Sequence, residues 1–163
     1  MPEINKILYA TDLSENSTYA LRIALESASL YNAEIVILYV IDNTTPASIP
    51  LRGVYIDDKM YTELFDKHVK ESKAEITNRL QTIFDTEHQN HPEFKGIVKS
   101  IEIREGFPAE IILSMADKFD CDMIIMGTHG RGVILNTFLG STAKRVLRRT
   151  RKPVFIIPLP KQQ

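Results

Sequence analysis

Two rhythms of apolar residues alternate along the chain. Short, nearly continuous apolar runs predict strands; longer stretches with apolar positions every three or four residues predict helices. Ile4 to Ala10 is the first run and reads as a buried strand. Thr11-Asp12-Leu13-Ser14-Glu15 follows, where Asp12 or Ser14 can cap a helix and Glu15 suits its first turn. Leu21, Ala24, Leu25 and Ala28 mark one buried face of that helix, which runs to about Tyr31. Glu34 to Ile41 is almost wholly β-branched or apolar, as in a central strand covered on both faces. A second helix fits Asp57 to Thr86, with Tyr61, Leu64, Phe65, His68, Val69, Ile76, Leu80, Ile83 and Phe84 as its stripe. Glu87 to Lys95 reads as a loop, and Ile97 to Arg104 alternates as a strand. Gly106-Phe107-Pro108 is a turn with proline at the next helix start, and Ile111, Ile112, Met115, Ala116 and Phe119 give that helix its face. Asp122 to Met126 is a fourth strand. A last helix from Ser141 to about Thr150 carries Ala143, Val146, Leu147 and Thr150 inward, and Val154 to Ile157 is a fifth strand.

The order βαβαβαβαβ implies an α/β fold, a parallel sheet with helices on both faces. In such sheets ligands bind beyond the carboxyl ends of the strands, where the strand order reverses. If the first and fourth strands are neighbours there, Asp12 and Gly127 face one crevice, with Val40 on its rim. Residues 42–56, rich in Asn, Thr and Pro, form an irregular excursion too long for an ordinary connection.

Length and charge narrow the classes. At 163 residues the chain suits a single domain over residues 1–163. A formal net charge of −1 supplies no global field for a nucleic-acid binder. The lone cysteine, Cys121, excludes a disulfide framework and fits a reducing cytoplasm; Asp120 and Asp122 beside it discourage a thiolate. There is no signal-peptide core at the N-terminus, no lipidation box, and no apolar run near the ~20 residues needed to cross a bilayer.

The chemistry concentrates in Met126-Gly127-Thr128-His129-Gly130-Arg131-Gly132 and in Leu139-Gly140-Ser141-Thr142. Glycines let backbone approach a ligand closely, and a helix N-terminus offers unpaired N–H groups with partial positive charge. A strand, glycine loop and helix in this order form a phosphate cradle; the glycines alone also suit a flexible linker. It is not a Walker-type loop, because no lysine separates Gly140 from Ser141. Nor is it a dinucleotide fingerprint, because Tyr9-Ala10-Thr11-Asp12 has no glycine. His129 either donates to a phosphate or only shapes the loop. Asp12 is a helix cap, a contact at the nucleoside end, or both. Lys144 and Arg145 oppose the helix dipole unless an anion sits at the turn; Arg148, Arg149, Arg151 and Lys152 read as a solvated basic face. His88-Gln89-Asn90-His91 reads as polar surface rather than a metal site. No general base or activated nucleophile can be assembled from spacing.

Three segments together resemble the universal stress protein family, specifically its ATP-binding branch. They are Ile7-Leu8-Tyr9-Ala10-Thr11-Asp12-Leu13-Ser14, Gly106-Phe107-Pro108-Ala109-Glu110-Ile111-Ile112 and Asp122-Met123-Ile124-Ile125-Met126-Gly127-Thr128-His129-Gly130-Arg131. Gly127, two residues, Gly130, nine residues and Gly140-Ser141 reproduce that branch's nucleotide motif, and Lys152-Pro153-Val154 opens the last strand as the family does. The resemblance spans nearly the whole chain except Asp42 to Lys95. It implies a three-layer α/β sandwich with five parallel strands in flavodoxin/Rossmann-like, adenine nucleotide alpha hydrolase-like order 3-2-1-4-5. It implies ATP or another adenine nucleotide as ligand, held on the adenine and ribose side through the backbone and side chain of Asp12 and the backbone of Val40, with Ala10 and Thr11 also among the nucleotide-binding residues. Gly127, Gly130, Gly140, Ser141 and Thr142 would hold the phosphates, with Met126, Thr128, His129 and Arg131 also among the nucleotide-binding residues. Mg²⁺ would be carried by the phosphates, with no dedicated metal site. It also implies a homodimer through Val154, Phe155, Ile156 and Ile157. Ala10 departs from the family, where proline is frequent.

The leading expectation is a cytoplasmic, nucleotide-dependent stress-response regulator acting on an unknown protein partner. The alternative is a slow ATPase or self-phosphorylating enzyme using Ser141 or Thr142, although nothing visible activates either. A purely structural dimer module fits the glycine pattern poorly. Nucleic acid finds support only in the basic last helix, and no membrane association is expected.

Overall fold

The computed structural model describes residues 3–14, 17–42, 57–128 and 139–158. Five parallel strands are β1 (Lys6–Thr11), β2 (Glu34–Asp42), β3 (Val98–Gly106), β4 (Met123–Gly127) and β5 (Val154–Ile157), in the order β3-β2-β1-β4-β5. The helices are α1 (Ser17–Tyr31), α2 (Asp58–Asn90), α3 (Pro108–Lys118) and α4 (Ser141–Arg149). Successive side chains of a strand point to opposite faces, so the apolar runs feed two cores. Ile7, Tyr9, Ile35, Ile37 and Ile125 meet Leu21, Ala24, Leu25 and Ala28 of α1 and Ile76 and Leu80 of α2. Leu8, Val36, Leu38 and Ile124 meet Ile112, Met115 and Ala116 of α3 and Ala143 and Val146 of α4. The result is the expected three-layer sandwich, with β1, β2 and β4 buried on both faces. Each fully buried leucine or isoleucine contributes about 1.5–3 kcal/mol.

Three expectations are corrected. The segment from Glu87 is not a loop: α2 continues to Asn90, and Pro92–Phe94 forms a 3₁₀ turn. Packing overrides the polar composition there, since Glu87 and Phe94 are buried and His88 lies against Phe84 at 4.8 Å between ring centroids. The helix stops where Pro92 disfavours helical geometry at His91. The stripe of α2 is buried only from Val69 onward; Tyr61 is 44% exposed and stacks on Phe65 within its own helix. Leu147 does not join the stripe of α4 and is 42% exposed. Residues 43–56 of the anticipated excursion lie outside the described residues, and Asp42 itself closes β2.

Two local devices hold the frame. Gly106 ends β3 with φ 142°, and a Cβ there would lie 3.0 Å from Ile111 Cδ1, so only glycine suits this corner. At the amino end of the sheet, Asp122 Oδ2 accepts from the backbone N–H groups of Asn5 and Lys6 at 2.9 Å each, while Asp122 N–H donates to the Lys6 carbonyl at 2.8 Å.

Candidate functional site

β1 pairs with both β2 and β4. The helix after β1 packs on one face of the sheet and the helix after β4 on the other. The chain therefore leaves β1 and β4 in opposite directions, and a crevice opens between their carboxyl ends. Ala10 and Met126 are register partners at this rim. With Val40 they belong to the apolar cluster on the α3 and α4 face and give the crevice an apolar floor.

Beyond β1 the chain makes two tight side-chain turns. Thr11 Oγ1 accepts from Leu13 N–H at 3.2 Å, and Asp12 Oδ1 accepts from Ser14 N–H at 3.0 Å. Asp12 does not cap α1, which starts at Ser17 with its N–H on the Ser14 carbonyl at 2.9 Å. The second Asp12 oxygen, Oδ2, is buried without a hydrogen-bond partner among the described residues. A buried carboxylate oxygen left unpaired is costly, so this position is suited to a donor brought by a ligand. Leu13 sits in the left-handed region at φ 56° with its side chain buried in the α1 and α2 core. Burial of that side chain offsets the backbone cost of the turn. Tyr9 OH donates to the Ser17 carbonyl at 3.1 Å and ties the start of α1 to the sheet; burial pushes its ionisation well above the usual phenol range.

Beyond β4, Thr128 N–H donates to the Ile157 carbonyl at 3.0 Å, and the Thr128 carbonyl accepts from Gly140 N–H at 2.7 Å. The second bond draws the end of the strand and the start of α4 to one point. Gly140 is the N-cap of α4, at φ −64° and ψ 158°, and it has no side chain with which to cap. The helix therefore opens at Ser141 and Thr142 without a side-chain cap among the described residues. Ser141 is exposed and Thr142 half-buried. His129, Gly130 and Arg131 lie outside the described residues.

The cations of α4 are resolved by position. Arg145 Cζ sits 4.4 Å from the centre of the Phe107 ring, a cation–π contact that joins α4 to the start of α3. Leu13 and Phe107 lie inside the motifs of the sequence, which give neither of them a supporting role. Each is an apolar residue set between turn-forming neighbours. Cys121 is buried, and its thiol is pushed up to about 11, chiefly by burial; Lys6 and Lys152 pull the other way, and Asp122 and Asp120 add only a little to the rise. Among the described residues no group of three or more His, Cys, Asp or Glu is placed to hold a metal ion.

Comparison with known proteins gives a consistent result. The model of the universal stress protein family matches residues 3–158. Universal stress protein MJ0531 of Methanocaldococcus jannaschii is 30% identical over 158 residues, covering 97% of this chain and 84% of that protein. The structure of universal stress protein UspA from Lactobacillus plantarum superposes with a TM-score of 0.69 at 24% identity, covering 96% and 99% of the two chains. A universal stress protein solved in complex with cAMP superposes with a TM-score of 0.60 at 21% identity, covering 96% and 98%.

Proposed function

The chain belongs to the universal stress protein family, and from that premise we propose that it binds an adenine nucleotide, ATP carried with Mg²⁺, and acts as a nucleotide-dependent regulatory module. The observation that carries the reading is the uncapped start of α4 held against Thr128. First-turn amides carry partial positive charge and take an anion as their acceptor. In this reading Gly127, Thr128, Gly140, Ser141 and Thr142 hold the phosphates, joined by His129, Gly130 and Arg131 of the glycine loop. Thr11 and Val40 border the nucleoside, whose base rests on Ala10 and Met126. Asp12 Oδ2 accepts from a sugar hydroxyl or the base amino group, the donor its burial lacks. Mg²⁺ neutralises charge on the phosphates. The complex of a related universal stress protein with cAMP supports an adenine ligand.

The same reading includes a homodimer through β5. This edge strand exposes Phe155 at 41%, and unpaired edge strands invite pairing. A single buried thiol suits the cytoplasm.

Isothermal titration calorimetry with MgATP tests the site, with saturable heat as the expected result. Gly140→Pro suits the local φ, removes the N–H that meets the Thr128 carbonyl and keeps Leu139 out of helical geometry. It is expected to cost about 1 kcal/mol of stability and to weaken ATP binding. Absence of heat with folded wild-type protein sinks the proposal.

A further inference from the structure

The start of α4 places positive charge where a helix disfavours it. The first turn holds no acid, the N-cap Gly140 has no side chain to offer, and Lys144 and Arg145 follow directly. Lys144 N–H donates to the Gly140 carbonyl at 3.0 Å, so Lys144 closes the first turn. Unpaired N–H groups make that end of the helix partly positive, and a cation there is repelled. Ser141, Lys144, Arg145 and Arg148 recur at three- and four-residue spacing on the exposed face, while Ala143 and Val146 face the core.

The fold accounts for two of the three cations on this face. Arg145 is held over the Phe107 ring, 4.4 Å from its centre. Arg148 lies in the last turn, where the dipole favours it, and about 10.5 Å along the axis from Ser141. Lys144 is exposed, and its side chain makes no ion pair or hydrogen bond among the described residues. Its Cα lies only about 4.5 Å along the axis from that of Ser141. Helical side chains lean back toward the N-terminus, and the flexible four-carbon stem of lysine spans that rise. The ammonium therefore reaches the first-turn amides of Ser141 and Thr142 with no change in the backbone.

We propose that Lys144 grades adenine nucleotides by the number of their phosphates, as a flexible positive charge placed outside the ring of main-chain amides. The inference rests on the nucleotide site proposed above. With the nucleoside beside β1 and β2, each further phosphate carries negative charge toward α4. The outermost phosphate of ATP then meets the Lys144 ammonium, and a monophosphate stops short of it. Binding also removes the repulsion between Lys144 and the helix dipole, which the ligand-free protein bears. A lysine suits this task better than Arg145: its compact ammonium follows an anion, whereas the planar guanidinium is already laid on a ring.

Calorimetry with ATP, ADP and AMP, each with Mg²⁺, compares the wild type with Lys144→Ala and Lys144→Glu, beside thermal unfolding without ligand. Lys144→Ala should weaken ATP about 5-fold, ADP by less and AMP by under about 2-fold. Lys144→Glu should weaken ATP at least ~10-fold, and both losses should shrink as salt rises. Without nucleotide, Lys144→Glu should melt roughly 1–3 °C higher, because an acid in the first turn suits the dipole. Weaker binding by a more stable protein is a result that misfolding does not produce. Three results overturn the inference alone: ATP affinity that ignores Lys144, equal losses across the nucleotides that bind, or a lower melting temperature in Lys144→Glu. Folded wild type that binds no nucleotide overturns the site and this inference together.

Discussion

The two ends of the sheet are built from similar parts and finished differently. At the amino ends of β1, β4 and β5 the polar groups close on one another, whereas nearer β3 Glu87 Oε2, His88 Nε2 and Ser100 Oγ are buried without a partner among the described residues. Asp122 accepts two amides from the start of β1, Lys152 meets the Cys121 carbonyl, and Ile124 N–H reaches the Pro153 carbonyl at 3.0 Å. At the carboxyl end polar groups are left open. Asp12 Oδ2 has no partner among the described residues, and α4 begins on a glycine that cannot cap it. Buried polar groups cost free energy unless bonded, so the amino ends of β1 and β4 contribute stability while their carboxyl ends give some up. In an α/β sheet that sacrifice sits where ligands bind. The contrast holds for β1 and β4, the two strands that flank the candidate site.

The largest expected effect breaks the closed end. Asp122→Ala removes the acceptor of two backbone amides and should lower the unfolding free energy by about 2 kcal/mol, read from urea denaturation. ATP affinity of the folded fraction should not change; a parallel loss of affinity would mean the two ends are not separable. Asp12→Asn acts on the open end in the opposite sense. It keeps an oxygen for Ser14 N–H and removes the charge, so stability should stay within about 0.5 kcal/mol while ATP binding weakens roughly tenfold, about 1.4 kcal/mol. A destabilised variant with intact affinity would make Asp12 a framework residue.

The smallest effect titrates the closed end. Cys121 has its thiol held up to about 11 by burial, against an ordinary value of 9.0. A raised folded value means that stability is fully present below pH 9 and falls as the unfolded thiol ionises between pH 9 and 11. The loss should approach about 1 kcal/mol by pH 10. Cys121→Ser should flatten that limb of a pH-stability curve; an unchanged slope would assign it to other groups, Tyr9 among them. The same burial predicts slow alkylation of the native thiol at neutral pH.

Most of this architecture is legible in the residues. Ile7-Leu8-Tyr9, Ile35 to Leu38 and Ile124-Ile125 read as strands because their side chains suit burial on both faces, and Leu21, Ala24, Leu25 and Ala28 read as one helix face because their spacing matches the helical repeat. The candidate site is legible in part. The glycines, Asp12 and Val40 stand out by type and by position after a strand. Leu13 does not, because only the core beneath it makes a left-handed leucine tolerable. Asp12 looks like a cap because Asp before a helical pattern usually is one, but its turn closes two residues on and the helix starts later. The end of α2 misleads for the opposite reason: Thr86, His88 and Asn90 are weak helix formers, and packing of Glu87 and Phe94 carries the helix through them.

By itself the sequence determined which segments become strands and helices, the parallel α/β class, and the glycine-bearing stretch after the fourth strand. All three follow from periodicity and residue type over a few neighbours. Tertiary structure showed the strand order that the resemblance implied, with β1 beside β4, and alone decided that Thr128 and Gly140 meet across the residues between them and that one Asp12 oxygen has no partner among the described residues. Those outcomes depend on contacts between residues far apart in the chain, whose energies no local pattern encodes.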